Sequence, residues 1–197
     1  MILLFGLLSG CFVYACAECY PDPLFQSLSA FIPKVSKKLT VFLITLFLSE
    51  GIVLYLCSVY QGIQLLGLLI MSFALLYASL TDVKTGLIPD RTHVLILAGI
   101  CCLQFPSFQN FLFAICMFVL GTFIAEKTQA LGLGDVKLLA VLSLILHAEQ
   151  LIQCLCIASC SALVIISPLL FNKTITKETE IPFGPFLSLG AWLCLLF

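Results

Sequence analysis

Apolar residues run through this chain in long unbroken blocks separated by short polar connections. The blocks cover about residues 1–17, 39–59, 63–81, 92–105, 109–125, 136–148, 151–171 and 183–197. A transmembrane β-barrel would show alternating apolar and polar positions over roughly ten-residue segments. Here a stretch such as Leu65 to Ser79 is apolar on every face. Crossing the hydrocarbon core takes about 20 apolar residues in a helix, and a helix satisfies its own backbone amides where no water can. The pattern therefore predicts an all-α polytopic membrane protein with about eight transmembrane helices. Blocks four and six are short. At 1.5 Å per residue they reach about 20 Å of a core of about 30 Å, so each reads as a half-helix or as a helix that opens inside a polar pocket.

Composition reinforces the pattern. Of 197 residues, 62% are apolar and 10% are charged, whereas a water-facing surface needs about a quarter of all residues charged. A soluble globular domain is excluded. The net charge is −1 without a basic or acidic run, so nucleic acid is not an expected partner. The positions of the cations say more than their sum. Lys34, Lys37, Lys38, Lys84, Arg91, Lys127, Lys137, Lys173 and Lys177 all lie in or beside the connections after blocks one, three, five and seven. With eight alternating spans they share one side, which the positive-inside rule makes the cytoplasm, with both termini opposite. Leu8-Ser9-Gly10-Cys11 has the look of a lipoprotein cleavage site, but no basic segment precedes it, so the stretch is read as span one.

Chemistry has few places to reside. Most of the eleven cysteines, Cys57, Cys101, Cys102, Cys116, Cys154, Cys156, Cys160 and Cys194 among them, sit inside apolar blocks, where they act as small hydrophobes. Cys16-x-x-Cys19 has ligand spacing but lacks the second pair of a structural zinc site, so no metal is expected. His93 and His147 fall on opposite predicted sides, and no HExxH occurs. The serine in Gly6-Leu7-Leu8-Ser9-Gly10 lacks a neighbouring base. Glu50, inside span two, should point into the bundle.

Carboxylates remain. Asp82 closes span three and Asp135 opens span six at the same predicted edge. Two carboxyls brought together share a proton, so that one can activate water while the other protonates a carbonyl oxygen. Each also has a structural reading. Asp135 after Gly132 and Gly134 could be a helix N-cap, as could Asp90 before span four. Asp82, near a helix C-terminus, opposes the macrodipole, and a purely structural role is harder to justify there. The residues alone leave both readings open.

The motifs are similar to those of a known family. Gly132-Leu133-Gly134-Asp135-Val136-Lys137-Leu138 resembles the GxGDxKL motif of the type IV prepilin peptidases, membrane aspartyl proteases of the GxGD class. Thr81-Asp82 with Leu87-Ile88-Pro89-Asp90 resembles that family's first aspartate motif, and Ile181-Pro182-Phe183-Gly184-Pro185-Phe186-Leu187 resembles its C-terminal segment. The resemblance covers about residues 50 to 197. It implies an aspartic endopeptidase that removes the short basic leader of type IV prepilins or type II secretion pseudopilins at the cytoplasmic face of a bacterial inner membrane. Asp82 and Asp135 would be the catalytic pair, Gly132, Gly134 and Lys137 the active-site loop, and no cofactor would be needed. Residues 1–38 would form the first span and a shortened loop, and 39–197 the peptidase domain.

Members that also methylate the new N-terminus carry two CxxC pairs between spans one and two. This chain has one pair, at the end of span one, so peptidase without methyltransferase activity is expected. Asp90, Glu126, Glu178 and Glu180 would attract the basic leader. The competing class is a non-enzymatic membrane protein, a small transporter or assembly scaffold whose aspartates bind an ion or hold helices. A protease that cuts within a substrate's membrane span is disfavoured, because the C-terminal motif reads IPFGPF.

Overall fold

The computed structural model describes residues 2–18, 36–128, 132–171 and 181–196. Regular structure among them is helical: α1 Ile2–Glu18, α2 Ser36–Val59, α3 Gly62–Thr85, α4 Asp90–Leu103, α5 Phe108–Thr128, α6 Leu133–Leu142, α7 Ala148–Phe171 and α8 Gly184–Leu196. Each apolar block became one helix, as an all-α polytopic membrane protein requires. Four stretches, Val41–Val59, Gly62–Thr85, Phe108–Thr128 and Ala148–Pro168, are long and apolar enough to cross a bilayer. The helices form two compact units, Met1–Phe105 and Pro106–Phe197.

In the first unit α1 packs antiparallel to α2. Gly6 and Gly10 form one small face, which lets the α2 backbone come close: a methyl group on Gly6 would lie 3.3 Å from the Glu50 Cα. Such small-xxx-small faces replace the hydrophobic driving force that lipid cannot supply. Ser49 donates a hydrogen bond to the Gly6 carbonyl at 3.0 Å, and the Tyr14 and Phe42 rings meet edge to face at 5.1 Å. Glu50 points into this helix pair, as expected, with its Oε1 beside Gly6.

The α3–α4 hairpin is the other half of the unit. Its crossing point is Gly67 against Gly99, where a methyl on either glycine would come within 2.9 Å of the other's carbonyl oxygen. Leu56, Met71, Leu75, Ile96 and Ile100 fill the core of this unit. In the second unit α5 packs on α6 through Gly121 and Val136. Helix α7 packs on α8, where Gly190 lies directly against the Cys154 carbonyl. Helix α8 also touches α6. Leu138, Leu142, Leu146 and Leu187 are fully buried there.

Large apolar side chains are exposed along the outer faces. Phe47 is 79% exposed, Phe105 86%, Phe108 75% and Val164 72%. In water such a surface would aggregate, whereas in lipid it is the solvated face.

Two boundaries differ from the sequence expectation. Helix α3 runs a turn beyond residue 81 because the hydroxyls of Thr81 and Thr85 bond back to the Tyr77 and Thr81 carbonyls, both at 2.9 Å. These bonds keep a polar stretch helical. Helix α6 begins three residues before position 136 and ends at Leu142. Beyond it the chain tightens into i→i+3 turns, Leu144 N–H to Val141 and Ile145 N–H to Leu142. Asn110 of α5 donates to the Leu144 carbonyl at 3.0 Å, satisfying a group that the helix no longer serves.

Candidate active site

Asp82 sits in the last turn of α3 and is 6% exposed. Its carbonyl accepts the Gly86 N–H at 2.8 Å, and Gly86 holds φ +66°, the left-handed conformation that ends a helix most cheaply when the residue is glycine. Thr81, at 0%, and Thr85, at 1%, flank it on the buried side. The Thr85 hydroxyl also accepts the Leu87 N–H at 3.3 Å and so stiffens the turn. Lys84 points away from this face and donates to the Ala17 carbonyl at the end of α1, 3.1 Å away. A cation at a helix C-terminus meets the negative end of the dipole. The first aspartate therefore rests on a rigid, capped terminus.

Asp90 is the first residue of α4 and is exposed. The N-cap is Pro89, whose carbonyl accepts the Thr92 N–H at 3.0 Å, so the sequence reading of Asp90 as a cap is corrected by one position. The carboxylate still lies in the first turn, where the dipole favours it.

Asp135 is the third residue of α6 and is 9% exposed. The N-cap is Gly132, which corrects the alternative reading of Asp135 as the cap. A methyl group on Gly132 would lie 3.4 Å from the Asp135 Oδ2, so the carboxylate folds back over the bare glycine at the helix start. Gly134 is half-buried beside it, and Lys137 is exposed on the outer side of the same turn. Glu126, in the last turn of α5, is exposed.

Asp82 with Asp90 thus belongs to the first unit, and Asp135 with Gly132, Gly134, Lys137 and Glu126 to the second. His93 is buried in the first turn of α4, while His147 is exposed before α7, where its N–H meets Gln150 at 3.1 Å. Lys34, Lys173, Lys177, Cys19, Glu178 and Glu180 lie outside the described residues.

Sequence reasoning missed two buried hydroxyls. Thr92 on α4 is 0% exposed and Ser188 on α8 is 5% exposed, and neither hydroxyl has a hydrogen-bond partner. No spacing rule marks such residues. The Gly6-x-x-x-Gly10 face was also missed, although its spacing is a recognisable signal for close helix approach.

Comparison with known proteins gives a family. The type IV leader peptidase family matches residues 69–167, a stretch that includes both Asp82 and Asp135. A prepilin leader peptidase/N-methyltransferase of Burkholderia pseudomallei strain 1026b is 32% identical over 136 residues, covering 63% of this chain and 44% of that protein. The protein of the same description from strain K96243 matches to the same extent. The chain thus spans about half the length of these curated relatives. No solved structure matches it.

Proposed function

The chain belongs to the type IV leader peptidase family, and from that premise we propose that it is an aspartic endopeptidase of a bacterial inner membrane, removing the short basic leader from type IV prepilins or type II secretion pseudopilins. The observation that carries the reading is that the family match spans two buried aspartates, Asp82 at a helix end and Asp135 at a helix start. The peptidase domain is residues 39–197, the active site faces the cytoplasm and both termini lie on the periplasmic side. The substrate approaches as a peptide whose basic leader is drawn by the exposed Asp90 and Glu126.

In this reading the two carboxyls share one proton across a water molecule. The ionised carboxyl takes a proton from the water as its oxygen bonds to the scissile carbonyl carbon, and the protonated carboxyl gives its proton to the carbonyl oxygen. The tetrahedral diol then collapses. The C–N bond breaks, the nitrogen takes a proton from the first carboxyl, and a diol proton returns to the second. One water is consumed and the dyad is restored. Gly132 keeps the space over Asp135 open for the peptide, and Lys137 flanks the turn.

Processing without methylation is part of the proposal: the chain has the one pair Cys16-x-x-Cys19, where the family pattern it resembles has two.

Co-expression with a panel of prepilins and pseudopilins, read by mass, tests the proposal. Wild type is expected to remove the leader and leave an unmethylated N-terminus, and Asp82→Asn and Asp135→Asn at matched membrane levels are expected to leave the precursor intact. A folded wild type that cuts nothing, or a variant that still cuts, would favour a transporter or scaffold with structural aspartates.

A further inference from the structure

We infer that Thr92 is the positioning residue of Asp82, its buried hydroxyl held in place to hydrogen-bond that carboxyl when substrate engages. The inference rests on the peptidase reading above and on the packing of α3 against α4.

The contact at the helix crossing fixes which faces meet. Gly99 lies against the Met71 side chain and the Gly67 carbonyl. Counting at about 100° per residue from Met71, positions 75, 78 and 82 return to the same stripe of α3, and Leu75, Ala78 and Asp82 are indeed all buried. On α4, positions 96 and 92 return to the stripe of Gly99, and Ile96 and Thr92 are both 0% exposed. Asp82 and Thr92 therefore occupy facing stripes of one hairpin.

The register places them within about two turns of each other along the axis. Gly99 sits level with about residues 67 to 71 of its antiparallel partner. Seven residues back along α4, Thr92 stands level with about residues 74 to 78, four to eight residues or about 6–12 Å below Asp82. Side chains lean toward the N-terminus of their own helix. In an antiparallel pair those leanings oppose, so the Asp82 side chain leans down toward Thr92 and the Thr92 side chain leans up toward Asp82.

The buried hydroxyl without a bond is the second observation. Threonine inside a helix returns its hydroxyl to a carbonyl one turn back, as Thr45, Thr81, Thr85 and Thr122 do here, whereas Thr92, the third residue of α4, has no helical turn behind it. Thr92 has no such bond. Burying a hydroxyl without a partner is destabilising, and valine would fill the same volume without that cost. A threonine kept there in the free protein is explained if its hydrogen bond is made at another stage of the reaction. On the same hairpin, the group that changes state during the proposed hydrolysis is the Asp82 carboxyl, which exchanges a proton and can rotate as it does so. A hydroxyl donating to the carboxylate, or accepting from the carboxyl, fixes that rotation in both protonation states.

The test is steady-state cleavage of a purified prepilin by wild type, Thr92→Val and Thr92→Ser in detergent, with thermal unfolding of each. Thr92→Val is expected to lower kcat about tenfold with KM within twofold, and to leave the unfolding temperature equal or higher. Thr92→Ser is expected to recover most of kcat. The assignment is overturned if Thr92→Val keeps kcat within twofold, if the loss lies in KM, or if both variants lose kcat in step with a lowered unfolding temperature. A wild type that cuts no leader would sink the peptidase reading and this assignment together. An active wild type with an unaffected Thr92→Val sinks this assignment alone.

Discussion

Gly86 illustrates how much a single residue does near Asp82. At φ +66° it ends α3 and returns its N–H to the Asp82 carbonyl, and a side chain there would cost about 1 kcal/mol or more. Gly86→Ala is therefore expected to lower unfolding stability in detergent by about that amount, measured by denaturant titration, and to reduce leader cleavage because the Asp82 turn shifts. Asp82 and Asp135, both buried, were legible in the sequence as candidates, since a chain with so few ionisable groups in apolar surroundings singles them out. Their pairing rests on the motif resemblance and stands as a proposal. Thr92 and Ser188 were not legible. A hydroxyl carries no periodic signal, and its importance lies in a missing hydrogen bond that only side-chain positions reveal. The capping roles were misassigned for a related reason: Gly132 and Pro89 lack cap side chains, so the neighbouring aspartates took the role in a reading by residue type.

At the scale of helices, the blocks of apolar residues translated directly into α1 to α8, because in lipid no other backbone arrangement satisfies an isolated segment. Boundaries were harder. Thr81-Asp82-Val83-Lys84 reads as a polar connection, yet the threonine hydroxyls bond inward and prolong α3. Leu144-Ile145-Leu146 reads as membrane span, yet the helix stops before it and the leucines are buried within protein. Which helices approach closely was also hidden, since glycine marks a crossing only when its partner is known. Gly99→Ala is expected to destabilise the α3–α4 hairpin by about 2 kcal/mol, because the new methyl would meet the Gly67 carbonyl and the Met71 side chain. Unfolding in detergent would measure it. An unchanged midpoint would mean that the hairpin relaxes more freely than its packing suggests.

Over the whole molecule, charge and lipid set the conditions for function. Asp90 and Glu126 are both exposed, and a field from such groups acts on a basic leader at a distance limited by screening to about 8 Å at physiological salt. The double variant Asp90→Asn, Glu126→Gln is expected to slow leader processing severalfold at low ionic strength, with the difference vanishing at high salt. Equal rates at low salt would remove these carboxylates from substrate capture. The ten-residue α6, which carries Asp135, has a further consequence. Its length is about 15 Å, half the depth of an ordinary bilayer core, yet Val136, Leu138 and Leu142 are buried in protein, so its shortness imposes no mismatch on the lipid. Strain that grows with acyl-chain length falls instead on the longer apolar helices such as α5 and α7. Turnover in reconstituted vesicles should accordingly change little as the lipid tails are lengthened, the helix that carries Asp135 being insulated from membrane thickness by its own protein neighbours.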